Sequence, residues 1–81
     1  MNMAKMSPLE RCVNVAFQQL APDMGDIFAE DAVQPVIDLI VYEKLYAQYG
    51  VAPEIVEKLR NYDEEVCKEV REFIKDFTGE D

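Results

Sequence analysis

The sequence lacks histidine and tryptophan, and it has one serine, Ser7, and one threonine, Thr78. Both fall at predicted helix ends, so the usual pairing of a nucleophile with a general base cannot be assembled. Glycine is scarce as well, and there is no glycine-rich phosphate loop. No two carboxylates share an apolar helix face where burial would prepare one of them for acid–base work. We therefore expect no catalytic residues and no enzymatic activity.

Cysteine patterns and metal-binding patterns are also missing. The two cysteines, Cys12 and Cys67, lie far apart without a C-x-x-C pair, so neither a zinc site nor a disulfide framework is indicated. Asp23 and Asp26 flank Gly25, but the alternating ligands and final glutamate of an EF-hand are absent. The sequence predicts no metal and no cofactor. Both thiols are expected to be small buried residues, and a bridge between them is the alternative if their helix faces meet.

Basic residues are few, with 8 Lys and Arg against 17 Asp and Glu, which gives a net charge of −9. Direct binding to nucleic acid or to an anionic membrane surface depends on Lys and Arg that neutralise phosphates. We therefore expect no direct nucleic-acid binding and no membrane binding. The charge instead favours a protein partner with a basic surface.

Long apolar runs are absent too. The most apolar stretch, residues 35–50, is interrupted by Asp38, Glu43, Lys44 and Gln48, and it falls short of the ~20 apolar residues of a membrane-spanning helix. The first residues do not have the basic start, apolar run and cleavage site of a signal peptide. These observations, with the unpaired cysteines, predict a cytoplasmic protein.

Helical periodicity dominates what is present, and it predicts an all-α fold, a small antiparallel three- to four-helix bundle. Ser7 and Glu10 have the spacing of a capping box, and Pro8 suits the first turn of a helix. A first helix is therefore expected to begin at Ser7. It is expected to end at Pro22, because a proline disfavours helical geometry in the residue before it.

A hydrophobic central helix is predicted at about residues 31–49. Asp31 is its expected N-terminal cap, and Gly50 supplies a left-handed residue that ends it. Apolar residues cover most of the helix surface, so neighbouring helices must cover it on most sides. The predicted organisation is a disordered N-terminus at residues 1–6, a single helical domain at residues 7–78 and a frayed tail at residues 79–81.

The third helical segment begins at Pro53 and keeps its apolar period to Phe77. Asn61 and Glu64 could cap a second helix within it, but the uninterrupted period favours one continuous helix. That helix would measure ~37 Å against ~28 Å for the central helix, so its end would overhang. The overhanging end is expected to pair with a second copy through four apolar residues: Val66, Val70, Phe73 and Phe77.

Four acidic residues form a stripe along the same segment: Glu65, Glu69, Glu72 and Asp76. Their spacing of i, i+4, i+7 and i+11 puts them within a narrow arc of a helix. The carboxylates would recur every ~5.5 Å, so mimicry of the ~3.4 Å phosphate spacing of DNA would be approximate. The alternative is a solvated face that Lys68 and Lys75 partly neutralise.

Three tyrosines form a row on the predicted central helix: Tyr42, Tyr46 and Tyr49, beside Asp38. Tyrosine is enriched among the residues that carry binding energy at interfaces, so the row and the acid beside it are a candidate protein-binding surface. The alternative is that the rings cover the core and leave their hydroxyls in water.

These features together predict a small acidic protein-binding module, an inhibitor or adaptor that engages a basic surface of a larger protein. In size and charge alone it resembles small acidic proteins of phages and mobile elements, such as anti-restriction and anti-CRISPR proteins. That resemblance implies a partner that itself binds nucleic acid. A structural homodimerisation module is the alternative, and a carboxylate-based enzyme or metal-binding protein is the second alternative.

Overall fold

The computed structural model describes residues 6–24 and 29–78, and all regular structure in these ranges is helical. The predicted all-α bundle is therefore confirmed, although the described residues form five helices, more than the three or four expected. The helices are α1 (Pro8–Met24), α2 (Ala29–Tyr42), α3 (Leu45–Tyr49), α4 (Pro53–Arg60) and α5 (Glu64–Thr78).

Helix α2 is the centre of the bundle, since it packs against each of the other four helices. Val36 and Ile40 are completely buried, and Ile37 is nearly so. Burial on this scale contributes roughly 1.5–3 kcal/mol for each large apolar side chain. The expectation of a hydrophobic central helix is correct for this segment.

Helix α1 begins as its capping box predicts. The Ser7 backbone N–H donates to Glu10 Oε1 at 2.9 Å, and the Glu10 N–H donates to Ser7 Oγ at 3.2 Å. The predicted end at Pro22 is wrong, because the helix continues to Met24. Pro22 lies in the last turn and has no N–H to donate to the carbonyl four residues earlier, yet the helix extends two residues beyond it.

Met6 adds to the packed core on the N-terminal side of the first helix. Residues 1–5 and 79–81, predicted to be disordered and frayed, lie outside the described residues. Met6, expected to belong to the disordered segment, is buried at 8% exposure. Its thioether sulfur accepts a hydrogen bond from Asn14 Nδ2 at 3.9 Å, so the core begins before the first helix.

The predicted single helix at 31–49 is wrong at both its start and its middle. Helix α2 begins at Ala29, ahead of the expected cap at Asp31. It ends at Tyr42, and Lys44 then takes left-handed backbone angles of φ 55° and ψ 36° before α3 begins. The break lets Leu45 turn into the core. Gly50 ends α3 with φ 74°, as the sequence predicts.

The third segment is also broken, so the preferred continuous helix is wrong. Helix α4 ends at Arg60, and Tyr62 has a left-handed φ of 53°. Asp63 caps α5, because its Oδ1 accepts hydrogen bonds from the N–H groups of Glu65 at 3.0 Å and Val66 at 3.4 Å. A continuous helix of ~37 Å would exceed the molecule's longest dimension of 32 Å. The turn instead lets both halves pack on α2.

Candidate functional site

The four residues of the acidic stripe are all exposed on α5, but they divide into two environments. Glu65 lies near α4, where its Oε2 is 4.0 Å from Lys58 Nζ. The other three, Glu69, Glu72 and Asp76, lie along a groove between α5 and α1. The stripe is therefore continuous along the helix but faces two different neighbours.

The α1/α5 groove combines an apolar surface with an acidic rim. Its apolar part comes from two residues of α1 and two of α5, which are Leu9, Val13, Val70 and Phe73. Its carboxylates are Glu10 of α1 and the three stripe acids Glu69, Glu72 and Asp76. The volume is about 200 Å³, and no lysine or arginine lines the groove. Any ligand would thus meet carboxylates contributed by both helices.

The groove has a surplus of negative charge, because its lining includes four acidic residues and no basic residue. The ion pairs of Lys58 with Glu65 and of Arg60 with Glu57 lie outside the groove. Glu10 is held in place by the Ser7 N–H, which leaves its other carboxylate oxygen outside the capping box. Carboxylates that line the same groove raise the local negative potential and favour a cation.

The structure divides the tyrosine row between two helices. Tyr42 ends α2 and is 83% exposed. Tyr46 in α3 is half-buried under Arg60. The guanidinium carbon of Arg60 lies 5.8 Å from the centroid of the tyrosine ring, and Arg60 Nη2 donates a hydrogen bond to the tyrosine hydroxyl at 3.2 Å. Tyr49 is half-buried against the core. Because the break at Lys44 separates them, the three rings do not form one continuous helical row.

Asp38, the acid expected beside the tyrosines, instead contacts Tyr62. The Tyr62 hydroxyl donates a hydrogen bond to Asp38 Oδ1, joining α2 to the turn between α4 and α5. This hydrogen bond and the nearby negative charge raise the pKa of Tyr62 above its ordinary value. Asp38, Tyr42, Arg60 and Tyr62 surround a shallow cleft of about 340 Å³ between α2 and α4. The cleft therefore has charges of both signs at its edge.

The residues assigned to self-association are largely internal. Val66, Val70 and Phe73 are buried at 2%, 1% and 6% exposure, so they pack within the single chain. Phe77 is 39% exposed, but its ring contacts Phe73 at 5.2 Å and Phe17 at 5.8 Å between centroids. The overhang on which the self-association prediction depended is absent from α5, because the helix is shorter than expected.

Both cysteines are free thiols. Cys12 is completely buried, and this burial raises the pKa of its thiol to about 11. Burial also raises the pKa of the half-buried Cys67, although the charge of Arg71 opposes the shift. A raised pKa disfavours the reactive thiolate at neutral pH.

Residues 6–24 and 29–78 contain neither a metal-binding cluster nor a membrane-spanning helix. No group of three or more Cys, Asp or Glu side chains is arranged there to hold a metal ion. None of the helices in those ranges has the length and apolar character needed to cross a membrane.

Comparison with known proteins found no match to this chain among family models, curated proteins or solved structures.

Sequence reasoning missed three residues that shape these surfaces: Glu10, Arg60 and Tyr62. Glu10 was recognised for its capping role, but its place in the groove depends on α1 packing beside α5, which no local pattern reveals. Arg60 and Tyr62 take their positions from the break between α4 and α5. The sequence signal for that break was the Asn61 to Glu64 spacing, which pointed to the correct region but to the wrong capping residue.

Proposed function

We propose that this protein is a small acidic binding module, an inhibitor or adaptor that engages a basic surface of a larger protein. The observation that supports the proposal is the exposure of Glu69, Glu72 and Asp76 on α5, where they line a groove that has no Lys or Arg in its lining. Folding does not require like charges to be placed together, and such pairs are mildly destabilising on a helix. A basic partner would relieve that repulsion.

Proteins that bind nucleic acid are the favoured partner class, because their binding surfaces carry clustered Lys and Arg. Association with such a surface is steered by long-range attraction and specified by charge complementarity. An acidic module that covers this surface would compete with the nucleic acid for it. This competition is the mechanism by which the module would inhibit.

Self-association is a weaker candidate function. Three of the four residues expected to mediate it, Val66, Val70 and Phe73, already pack within the single chain. Pairing through them would require α5 to separate from α1 and α2, which would expose the core. We therefore favour binding to a different protein.

The proposal is tested by capture of the tagged protein's partner from a nuclease-treated lysate of the organism that encodes it. Captured proteins are identified by mass spectrometry at low and high salt. We expect one nucleic-acid-binding protein to be retained at low salt and lost at high salt, because exposed charges are screened within ~8 Å at physiological ionic strength. Capture that does not depend on salt would contradict the proposal.

A charge-reversal variant and a matched control show whether the captured partner binds the acidic stripe of α5. The test variant carries Lys at four stripe positions: Glu65, Glu69, Glu72 and Asp76. The control carries Lys at four exposed acidic positions outside α5: Glu30, Asp31, Glu43 and Glu54. Both have the same net charge, so loss of the partner with the test variant alone would assign binding to the α5 face. Equal loss with both would show that only total charge matters.

A further inference from the structure

We propose that the α1/α5 groove is a recognition site for an arginine side chain of the basic partner. This inference rests on the proposed function and assigns the partner's chemistry at one place on the acidic face. The groove differs from a simple row of exposed acids because its lining combines carboxylates with apolar side chains, which include Leu9 and Val70. A ligand that complements it must be cationic at its end and apolar along its length.

The size of the groove favours a single side chain as its occupant. Its volume of about 200 Å³ is below the ~300 Å³ at which sites for drug-sized ligands begin. An arginine presents an aliphatic stem that can cover apolar surface while its charged end remains among polar groups. The stem would lie chiefly against Leu9, the one apolar residue of the lining that is not buried, and the guanidinium would reach the rim.

The arrangement of the carboxylates favours arginine over lysine. Glu10 stands on α1, and Glu69 and Glu72 stand on α5, so acceptors are available from two directions. A guanidinium offers five N–H donors in a planar fork, whereas an ammonium is a compact and more strongly hydrated point charge. Bidentate contact with carboxylates also adds geometric specificity. The capping hydrogen bond from Ser7 restrains Glu10 before any ligand arrives.

The experiment uses three peptides that are acetylated and amidated at their ends and differ at one residue type. Alanines alternate with arginine in the first peptide, with lysine in the second and with citrulline, the neutral analogue of arginine, in the third. Binding to the whole chain is followed by methyl NMR, with Leu9, Val13 and Val70 as reporters of the groove. We expect saturable shifts of these methyl groups with the arginine peptide, binding about tenfold weaker with lysine, and no groove shifts with citrulline.

Two variants test the groove itself, one by charge and one by shape. The charge variant neutralises three rim residues: Glu69→Gln, Glu72→Gln and Asp76→Asn. Its matched control neutralises three exposed acids elsewhere: Glu30→Gln, Asp31→Asn and Glu43→Gln. The shape variant, Leu9→Trp, fills the groove without a change of charge. We expect the arginine peptide to bind about tenfold more weakly to the charge and shape variants and within about twofold of normal to the control.

Equal binding of the lysine and arginine peptides, or an equal loss in the control, would overturn the inference. The helical circular dichroism of each variant is measured first, and the charge variant alone decides the question if Leu9→Trp does not fold. The proposed function can fail separately. The proposed function fails if the unmodified protein captures no partner. The groove inference alone fails if the unmodified protein captures a partner and the charge variant captures the same partner equally strongly.

Discussion

The Tyr62 hydroxyl donates a hydrogen bond to the Asp38 carboxylate, although the two residues are 24 positions apart in the chain. The bond ties the turn between α4 and α5 to the central helix. Tyr62 is the residue whose left-handed backbone allows that turn. The contact therefore links the break in the predicted third helix to the helix around which the bundle packs.

We predict that Tyr62 titrates at a higher pH than an ordinary tyrosine. The hydrogen bond to Asp38 and the repulsion between a phenolate and the carboxylate both favour the neutral phenol and raise its pKa. Because the folded-state pKa lies above the unfolded value of ~10, the contribution to stability is complete below that value. It is lost as the pH rises through the folded-state pKa. NMR titration of labelled tyrosine rings measures the shift.

Two substitutions test whether Asp38 raises the pKa of Tyr62, one at Asp38 itself and one as a matched control. Asp38→Asn removes the charge and should move the pKa of Tyr62 down toward the ordinary value. Asp31→Asn removes an exposed acid of the same helix and should leave Tyr62 unchanged. An identical Tyr62 titration in the unmodified protein and in Asp38→Asn would show that the contact does not set the pKa.

We predict that Asp63, and not Asn61, is the cap that stabilises α5. Asp63→Ala removes the acceptor for two backbone N–H groups, at Glu65 and Val66. The free energy of unfolding should fall by about 1 kcal/mol, the usual cost of losing a cap. Asn61→Ala should change it by less than about 0.5 kcal/mol, as for most surface substitutions. Urea unfolding measures both, and a larger effect at Asn61 would contradict the assignment.

The two capping sites show what local sequence pattern could and could not predict. At α1, Ser7 and Glu10 formed both hydrogen bonds of the predicted capping box. At α5, the Asn61 to Glu64 spacing also fitted a capping box, yet Asp63 provides the cap. The choice depends on where the chain must turn for Leu59 and Val66 to be buried together, and burial of that kind is a tertiary property.

The central helix also shows that a local sequence pattern does not predict where tertiary packing breaks a helix. Apolar periodicity predicted its position and its burial, but the period continues across Lys44, and no glycine or proline marks the break there. The candidate site was predictable to a similar extent. The exposure of the stripe from Glu65 to Asp76 followed from helical spacing, whereas the groove required knowledge that α1 lies beside α5.

We predict that Lys44→Gly stabilises the fold. Lys44 is exposed and has φ 55°, a conformation that costs a residue with a side chain about 1 kcal/mol relative to glycine. Part of this gain is offset because glycine also increases the freedom of the unfolded chain. The free energy of unfolding should therefore rise by roughly 0.5 kcal/mol. Chemical denaturation detects a change of this size.

The matched control for this substitution is Lys68→Gly. Lys68 is also exposed, but it lies inside α5, so the same loss of charge and side chain occurs in regular helix. Glycine is unfavourable in a helix interior, and the free energy of unfolding should fall by roughly 0.5–1 kcal/mol. A decrease of the same size for Lys44→Gly would show that position 44 continues the helix in solution.

We predict that the two thiols react at very different rates with a disulfide reagent. Cys12 is inaccessible, and burial raises its pKa to about 11, so it should react only when the bundle opens. Cys67 is half-buried with a raised pKa and should react more slowly than a free thiol but well before Cys12. Single-cysteine proteins made by Cys12→Ala and Cys67→Ala separate the two rates.

The denaturant dependence of these rates distinguishes burial from ordinary slow chemistry. Labelling of Cys12 should accelerate with urea in proportion to the unfolded fraction, because exposure requires opening of α1 from α2 and α5. Labelling of Cys67 should be nearly independent of urea below the unfolding transition. If Cys12 instead reacts at the rate of Cys67 in the absence of urea, α1 must open without global unfolding. The α1/α5 groove would then lack the fixed geometry that arginine recognition requires.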